Sequence, residues 1–383
     1  MAPDEQTPPV VSTVPLFAPP PPPPAPVEFP LGWILDNAAL PIQYRAIIEV
    51  AKLGGQLPSS YANTPYFHRP AVEIAVRQSY DGTWNNSMLS LPSKGGIESI
   101  GTVNAVRRLL EYAWDKDSPA LYQARRVLFR LLAEDEDPAQ LYEFQAKPGK
   151  SHEPETAAHY RQLLREAAGA TLAQAGFESD PRVRGIARRT LGRILDYLDS
   201  PLAQKPWVRV GNAQVLAAEA SPPSLYALQM LAHMPLFRSE NYTAMETLYE
   251  YLTRPLPRQE AVQMVGKKLM PVPLLVLGDM LPHRNAVDAD VPMALAWLET
   301  IARLGFLRRN DNWCKLFERF IDDCDRDGIW HPHKGMATPR TSNPFVWPFF
   351  PLEQAAGGEE RWTDVTFRIG LIARIAGRTI DVV

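Results

Sequence analysis

Apolar side chains recur at intervals of three and four along most of the chain, which is the spacing of one helix face. Val183, Ile186, Ala187, Leu191 and Ile194 show this spacing behind Asp180-Pro181. A side-chain oxygen before proline is typical of a helix start, because the oxygen caps the helix and proline fits its first turn. Such starts occur at Ser118, Asp137, Asp180, Ser200 and Ser221. The pattern predicts about a dozen to fourteen short helices, no strand, and therefore an all-α fold.

One short pattern occurs near both ends of this helical series. Asp81-Gly82-Thr83-Trp84 returns as Asp327-Gly328-Ile329-Trp330, and an apolar helix follows each copy. Asp-Gly favours a turn, because glycine adopts positive φ without steric cost. We expect equivalent turns on equivalent helix pairs, placed at the two ends of one circuit. Residues 31–383 are therefore predicted to form a single domain, an α/α toroid, which is a double-layered ring of antiparallel helix pairs.

An open α-superhelix is the alternative architecture. One helix pair cannot bury its apolar face alone, and a closed ring and an open stack both solve that problem. Residues 180–187, with the sequence Asp-Pro-Arg-Val-Arg-Gly-Ile-Ala, resemble the second helix of a HEAT repeat. The local sequence does not decide between the two arrangements.

Composition adds limits to this picture. Of the 383 residues, 45% are hydrophobic and 22% are charged, as in an ordinary globular protein. Lys+Arg 40 against Asp+Glu 43 gives a net charge of -3, so no nucleic-acid partner is expected. The sequence contains no secretory signal and no run of about 20 apolar residues, so we expect a cytoplasmic protein without a transmembrane segment. Residues 1–30, which include an uninterrupted proline run, are predicted to be a disordered tail.

Gln78, Gly82 and Trp84 form a Gln-x-x-x-Gly-x-Trp pattern. The pattern resembles the repeat of the squalene-hopene cyclase and oxidosqualene cyclase superfamily of terpenoid cyclases, whose domains are α/α toroids. The resemblance implies a central cavity that binds an apolar ligand such as an isoprenoid. The cyclases carry their catalytic acid in an Asp-x-Asp-Asp motif, which this sequence lacks, so classical cyclase activity is not expected. A non-catalytic helical-repeat scaffold for protein interaction is the alternative function.

The densest acidic stretch, residues 322–327, lies just before the second Asp-Gly turn. Carboxyl groups that lie close together can act as acids when their environment raises a pKa. The candidate catalytic residues are therefore Asp322, Asp323 and Asp325. Solvation of a helix end and formation of a turn explain the same residues, and the sequence favours that interpretation.

The same stretch offers candidate metal ligands. Asp322, Cys324 and His331 resemble the Asp-x-Cys pair and the later His that bind zinc in protein prenyltransferases, with His333 as a substitute for His331. Magnesium would call for Asp-Asp-x-x-Asp on a helix, and Arg326 occupies the last position. The prediction is no cofactor, with zinc or magnesium as alternatives.

Residues 331–352 form a loop in which aromatic residues alternate with prolines. A stiff aromatic loop beside a helical ring suits the mouth of a cavity, where its faces would contact an apolar ligand or a cation. The predicted cavity wall consists of Trp84, Trp330, Phe345, Trp347 and Phe349. In the alternative, which the sequence favours, the aromatic residues fill the open end of the fold. The expected partner is an apolar small molecule or another protein.

Overall fold

The computed structural model describes residues 25–91, 97–133, 152–257, 259–281, 283, 286–332, 343, 345–352 and 360–383. Within them the chain is mostly helical, as predicted. The α-helices are α1 Leu31–Asn37, α2 Leu40–Arg45, α3 Arg69–Val76, α4 Thr102–Glu111, α5 Pro119–Leu132, α6 Pro154–Gln174, α7 Pro181–Asp199, α8 Leu225–Ala232, α9 Pro235–Glu240, α10 Tyr242–Leu252, α11 Ala286–Ala289, α12 Val291–Arg303, α13 Asp311–Asp322 and α14 Glu360–Ile375. A π-helical turn, Ala46–Ala51, continues α2. None of the described helices is long and apolar enough to cross a membrane.

Two of the predicted helix starts are confirmed. α5 begins at Pro119 and α7 begins at Pro181. The Asp180 carboxylate accepts a hydrogen bond of 2.9 Å from the backbone N–H of Arg182, a cap that contributes about 1 kcal/mol. The start predicted at Asp137 lies outside the described residues.

Two other starts differ from the prediction. Ser200 is followed only by the 3-10 turn Pro201–Ala203. The start predicted at Ser221 is wrong, because a second proline follows the first and disfavours helical backbone at the residue before it. The helix α8 begins after Ser224 instead, whose hydroxyl accepts a hydrogen bond of 3.0 Å from the backbone N–H of Ala227.

The predicted helix-rich class is confirmed, but the expectation that the chain contains no strand is wrong. The strands of the described residues are β1 Val27–Phe29, β2 Trp207–Val210, β3 Ala213–Leu216, β4 Val262–Val265, β5 Lys268–Pro271 and β6 Ile380–Val382. β1 pairs in parallel with β6, and the others form one sheet in the order β2-β3-β4-β5. The two hairpins turn at Gly211 and Gly266, whose φ values of +60° and +58° suit two-residue turns. Strands of four residues are too short to show a clear periodicity, so these glycine turns are their stronger sequence signal.

The ordered fold also begins earlier than predicted. Val27 and Phe29 lie in the range predicted as a disordered tail, yet they are only 2% and 1% exposed. Phe29 packs so closely on Gly370 of α14 that a Cβ at that glycine would lie 2.4 Å from the ring. Backbone pairing with β6 and this apolar contact hold β1 in place. The boundary predicted at residue 31 is therefore corrected, whereas residues 1–24 of the predicted tail lie outside the described residues.

The helices contact one another in chain order. α4 packs against α6, α6 against α8, α8 against α12, and α12 against α14, which in turn packs against α2 and Ala46–Ala51. A second group, α3, α5 and α7, packs against α4, α6 and α8. All residues of α8 and nearly all of α12 are buried, so both helices lie within the core. The buried apolar residues form one large cluster, with a small second one around Leu216, Val272 and Leu277.

The repeated Asp-Gly pattern makes the same turn in both places. The glycine of each turn has positive φ, +89° at Gly82 and +79° at Gly328. In each copy the tryptophan backbone N–H then donates a hydrogen bond of 3.1 Å to a threonine hydroxyl of α4 or α14: Trp84 to Thr102, and Trp330 to Thr366. The prediction of equivalent turns, each attached to a following helix, is confirmed. In the first copy Gln78 Nε2 also donates to the carbonyl of Ala120 in α5, at 2.8 Å, and so joins the turn to a further helix.

Candidate functional site

The predicted acidic residues lie at the C-terminal end of α13 and in the turn after it. Asp322 and Asp325 are exposed, and Asp323 is half-buried with its carboxylate 3.9 Å from Arg319. The Asp325 carboxylate accepts hydrogen bonds from the backbone N–H groups of Asp327 and Ile329, at 2.9 and 3.0 Å. These contacts shape the turn. A role of the three aspartates in acid catalysis stays a prediction.

The charge on Asp325 is stabilised by its surroundings. Burial alone would raise the pKa of this carboxyl, but hydrogen bonds from Ile329, His331 and Asp327 lower the pKa below its ordinary value. His331 Nε2 lies 2.8 Å from Asp325 Oδ2. A carboxyl with a lowered pKa is ionised at neutral pH, so it is a poor proton donor.

The predicted metal ligands are not brought together. The Cys324 thiol donates to the Phe320 carbonyl at 3.4 Å, and burial together with the neighbouring aspartates raises its pKa to about 12. A thiol with that pKa keeps its proton, whereas zinc binds the thiolate. Among the described residues no three His, Cys, Asp or Glu side chains are grouped to hold a metal ion, so Asp322, Cys324 and His331 do not form a site. His333 lies outside the described residues.

The residues of the predicted cavity wall lie in two places. Trp84 and Trp330 lie at the two Asp-Gly turns, where they have a structural role. Trp84 and Trp330 are each 1% exposed within the core. The Trp84 indole N–H donates to the Ile74 carbonyl at 2.7 Å, which ties the first turn to α3. Both residues hold turns against helices, and their place in a cavity wall stays a prediction.

The other three residues of the predicted wall lie together over two arginines of α4. We call residues 345–352 the aromatic strap. The rings of Phe345 and Phe349 lie over the Arg107 guanidinium, with centroids 5.0 and 4.8 Å away, and the Trp347 ring lies 4.9 Å from Arg108. Cations attract the negative face of an aromatic ring, so these contacts are favourable. The three aromatic rings thus contact buried guanidinium groups, and their place in a cavity wall stays a prediction.

Polar contacts hold the aromatic strap in place. Arg108 donates to the carbonyls of Trp347 and Pro348, at 3.0 and 3.4 Å, and also to the carbonyl of Pro351. Arg368 of α14 donates to the Phe349 carbonyl at 2.9 Å. The strap therefore depends on two buried arginines for its position.

Beneath the strap lies a group of polar side chains that the sequence interpretation missed. We call it the central polar cluster, and it consists of Arg45, Arg107, Glu111, Gln174, Gln229, His233, Glu299, Arg303 and Arg368. Its members come from the helices that contact one another in chain order, which are α2, α4, α6, α8, α12 and α14. His233 is the residue directly after α8. Several members are spaced four apart, which places them on one helix face.

Four ion pairs connect the arginines and glutamates of the cluster. Glu111 Oε2 lies 2.5 Å from both Arg45 Nη1 and Arg368 Nη2. Glu299 lies 2.8 Å from Arg368 Nη1 and 2.8 Å from Arg303 Nη2. Burial alone would raise the pKa of each carboxyl, but the arginines lower both below their ordinary values. Both glutamates are therefore ionised at neutral pH.

Arg107 differs from the other arginines of the cluster. It is fully buried, and its hydrogen-bond acceptors are neutral: Nε donates to Gln174 Oε1 at 3.3 Å, and Nη2 donates to Gln229 Oε1. Its Nη1 has no hydrogen-bond partner among the described residues. Burial lowers the pKa of Arg107, an effect that the nearby Tyr226 and Glu111 oppose. A guanidinium stays protonated in proteins, so Arg107 is a buried cation without a carboxylate partner.

His233 adds a neutral group beside these charges. It follows α8 directly, four residues after Gln229, and is half-buried. Burial and the positive charge of Arg303 lower the pKa of its imidazole well below the ordinary value. A neutral imidazole has one N–H donor and one nitrogen acceptor, so His233 can exchange hydrogen bonds with a ligand of either character.

A sequence signal for the cluster does exist. The helices α8 and α12 are apolar on almost every side, which indicates a buried helix rather than an amphipathic surface helix. Isolated polar residues in such helices, here Gln229 and Glu299, must find partners in the interior. What the sequence does not contain is the pairing, because the partners lie on helices far apart in the chain.

Comparison with known proteins gives no family for this chain. It matches no protein-family model, no curated protein and no solved structure. The similarity to terpenoid cyclases and prenyltransferases therefore rests on the short motifs around Trp84 and residues 322–331.

Proposed function

We propose that the chain forms a closed ring of helix pairs and that the middle of this ring binds a small molecule. The packing order of α4, α6, α8, α12, α14 and α2 supports a circuit, and the ion pair between Arg45 and Glu111 joins α2 to α4 across its end. The parallel pairing of β1 with β6 brings the two ends of the described fold together. In such a ring the central polar cluster occupies the middle.

The burial of this cluster is the observation that carries the proposal. Moving a charged group out of water costs several kcal/mol, and apolar side chains of similar volume are often as stabilising as a buried ion network. Glu111, Glu299 and Arg368 are nevertheless almost fully buried at the meeting point of several helices. Groups with strongly shifted pKa values gather at functional sites more often than elsewhere. A ligand site would explain why these helices carry polar residues on the faces that contact one another.

The composition of the site indicates a ligand with two parts. Phe345 and Phe349 place apolar rings beside the cluster on the strap side, which keeps the predicted apolar ligand, such as an isoprenoid, within the proposal. The cluster below offers guanidinium, amide and imidazole groups for a polar end. Because Glu111 and Glu299 are held ionised, neither is poised as a proton donor, and we assign binding rather than a reaction.

Native mass spectrometry tests this function. We expect the full chain, purified in volatile buffer without chelator, to carry an additional small-molecule mass that is lost on denaturation. Arg108→Gln removes one of the two arginines that hold the strap, so the variant should lose the bound mass during gel filtration while the wild type keeps it. Arg126→Gln, an exposed change on α5, is the control and should behave as the wild type. A bare chain mass in the wild type, with no stabilisation by any compound of an amphiphile panel, would overturn the proposal.

A protein-interaction scaffold is the second candidate. An open groove of about 600 Å³ on α5 and α7 is lined by basic and aromatic side chains, among them Arg126, Arg130, Arg182, Tyr122 and Phe177. Such a surface fits an acidic protein segment. We expect Arg126→Glu with Arg130→Glu to weaken binding of a labelled polyglutamate peptide in fluorescence anisotropy, whereas Lys268→Glu on β5 should not. Equal anisotropy curves for the two variants would remove this candidate.

A further inference from the structure

The central polar cluster carries more positive than negative charge. Arg45, Arg303 and Arg368 are all paired with glutamates, and Glu49 adds a second carboxylate for Arg45. Arg107 lies within 4.0 Å of no carboxylate oxygen among the described residues, which makes it the cation of the cluster without an ion pair. A buried charge without a counter-ion is costly, so the site is electrostatically complete only with a further anion.

The position of Arg107 shows where that anion would bind. Two of its nitrogens are occupied, by Gln174 Oε1 and by Gln229 Oε1, and these contacts fix the plane of the guanidinium. The third, Nη1, is buried and free of hydrogen bonds within the part of the chain that the structure describes. The ring faces of Tyr226, Phe345 and Phe349 attract the cation, and the Tyr226 hydroxyl is a further neutral acceptor beside Arg107, but none of the three residues supplies a negative charge.

We propose that the ligand of the central site is an anionic amphiphile, whose carboxylate or phosphate accepts a hydrogen bond from Arg107 Nη1 and whose apolar part contacts Phe345 and Phe349. This inference rests on the proposed function and specifies its ligand. Oxygen anions are the acceptors that guanidinium groups bind most strongly, because the hydrogen bond is charge-assisted. The aromatic rings beside the guanidinium place an apolar surface next to the head group, so a bare inorganic anion would use only part of the site.

Three ligands with the same chain separate the contributions of head group and tail. Octanoate, octyl phosphate and 1-octanol each contain a linear chain of eight carbons, of which octanoate uses one in its carboxylate, and titration calorimetry at fixed ionic strength compares their binding to the full chain. We expect the better anion to bind about 10- to 100-fold more tightly than 1-octanol, the range for one hydrogen bond between charged groups. The ranking of octanoate against octyl phosphate shows whether the natural head group is a carboxylate or a phosphate.

Variants of Arg107 assign the preference to this residue. Arg107→Met keeps the length and removes the charge, so we expect the anions and 1-octanol to bind with similar affinity. Arg107→Lys keeps the charge and should retain part of the preference for anions over 1-octanol. If Arg107 had only a structural role, keeping its charge would not retain this preference. If Arg107→Met fails to fold, Gln229→Leu takes its place in the experiment. This variant removes an acceptor that orients the guanidinium, so it should weaken anion binding.

The outcomes separate the two proposals. Equal binding of octanoate, octyl phosphate and 1-octanol by the wild type would overturn the anionic ligand and leave the binding function standing. If Arg107→Met, or Gln229→Leu used in its place, binds anions with the same preference as the wild type, Arg107 is not the residue that binds the anion. If none of the three ligands binds and the mass retained in native mass spectrometry is a neutral compound, the inference fails alone. If no mass is retained, the binding function fails with it.

Discussion

Two groups of carboxylates in this protein meet opposite environments. Asp322 and Asp325 are exposed at the end of α13, whereas Glu111 and Glu299 are 4% and 6% exposed within the central polar cluster. Water solvates both aspartates, and Asp325 also accepts hydrogen bonds from the turn that it shapes. The second pair has lost water and depends on arginines, with Arg368 shared between both glutamates. The surface carboxylates therefore keep water as a partner beside their local contacts, while the charges in the centre depend on one another.

The largest expected effect comes from removing the shared cation. Arg368→Met leaves both Glu111 and Glu299 with one guanidinium each and also removes the donor to the Phe349 carbonyl. Breaking a buried ion pair from one side costs about 3–5 kcal/mol. We expect the free energy of unfolding, measured by urea denaturation, to fall by that amount.

Two further variants decide whether this loss has the stated cause. Arg326→Met removes an arginine that is exposed beside Asp327, so it should change the free energy of unfolding by less than about 0.5 kcal/mol. Combining Arg368→Met with Glu111→Gln and Glu299→Gln removes the uncompensated charges and should recover part of the loss. Equal effects of Arg368→Met and Arg326→Met would show that the centre is not a dependent ion network.

A second, smaller effect is the dependence of stability on pH. The arginines hold the pKa of Glu111 and of Glu299 below their ordinary value of 4.5, although burial opposes them. A carboxyl with a lowered folded-state pKa stabilises the fold fully above its unfolded-state pKa and loses that contribution as the pH falls. Each unit of lowering contributes about 1.4 kcal/mol. We therefore expect the contribution of the glutamates to the urea midpoint to be flat above about pH 5 and to fall steeply below pH 4.5, whereas the lowered pKa of His233 adds a shallower loss of stability that begins as the pH falls through about 6.5.

The Glu111→Gln variant identifies the source of this slope. It should be less stable than the wild type at pH 7 but should lose less stability between pH 5 and pH 3, because Gln does not titrate. Asp325→Asn provides the comparison from the surface group, whose carboxyl is exposed, and should leave the acid slope nearly unchanged. If Asp325→Asn removed the loss of stability at acid pH and Glu111→Gln retained it, the surface carboxylate and not the buried one would be its source.

The reach of sequence reasoning differs between the fold and the site for physical reasons. Helix content and the equivalent turns before Trp84 and Trp330 are local properties, set by apolar spacing and by Asp-Gly, and they are confirmed. The strands were missed because four residues carry little periodicity, and β1 was missed because its order depends on Phe29 meeting Gly370 far along the chain. The closed ring itself remains a proposal.

The site shows the same limit more strongly. Residues 322–327 contain four aspartates within six positions, which predicts an acidic site, yet a dense acidic run is also typical of a water-exposed helix end. The central polar cluster contributes one or two residues per helix, so no local window of sequence contains it. A buried Glu111 becomes recognisable only when Arg45 and Arg368 are known to face it.

The smallest expected effect comes from changing an exposed carboxylate at the end of α13. Asp322→Asn should change the free energy of unfolding by less than about 0.5 kcal/mol, because the carboxylate is exposed and solvated. Cys324, two residues later, should react with a disulfide reagent at pH 8 far more slowly than an ordinary thiol, since burial raises its pKa to about 12. Both results follow if the acidic stretch forms a turn. Rapid modification of Cys324 in a Cys314→Ala background, or a loss of bound zinc in Asp322→Asn, would restore the metal-site prediction for this stretch.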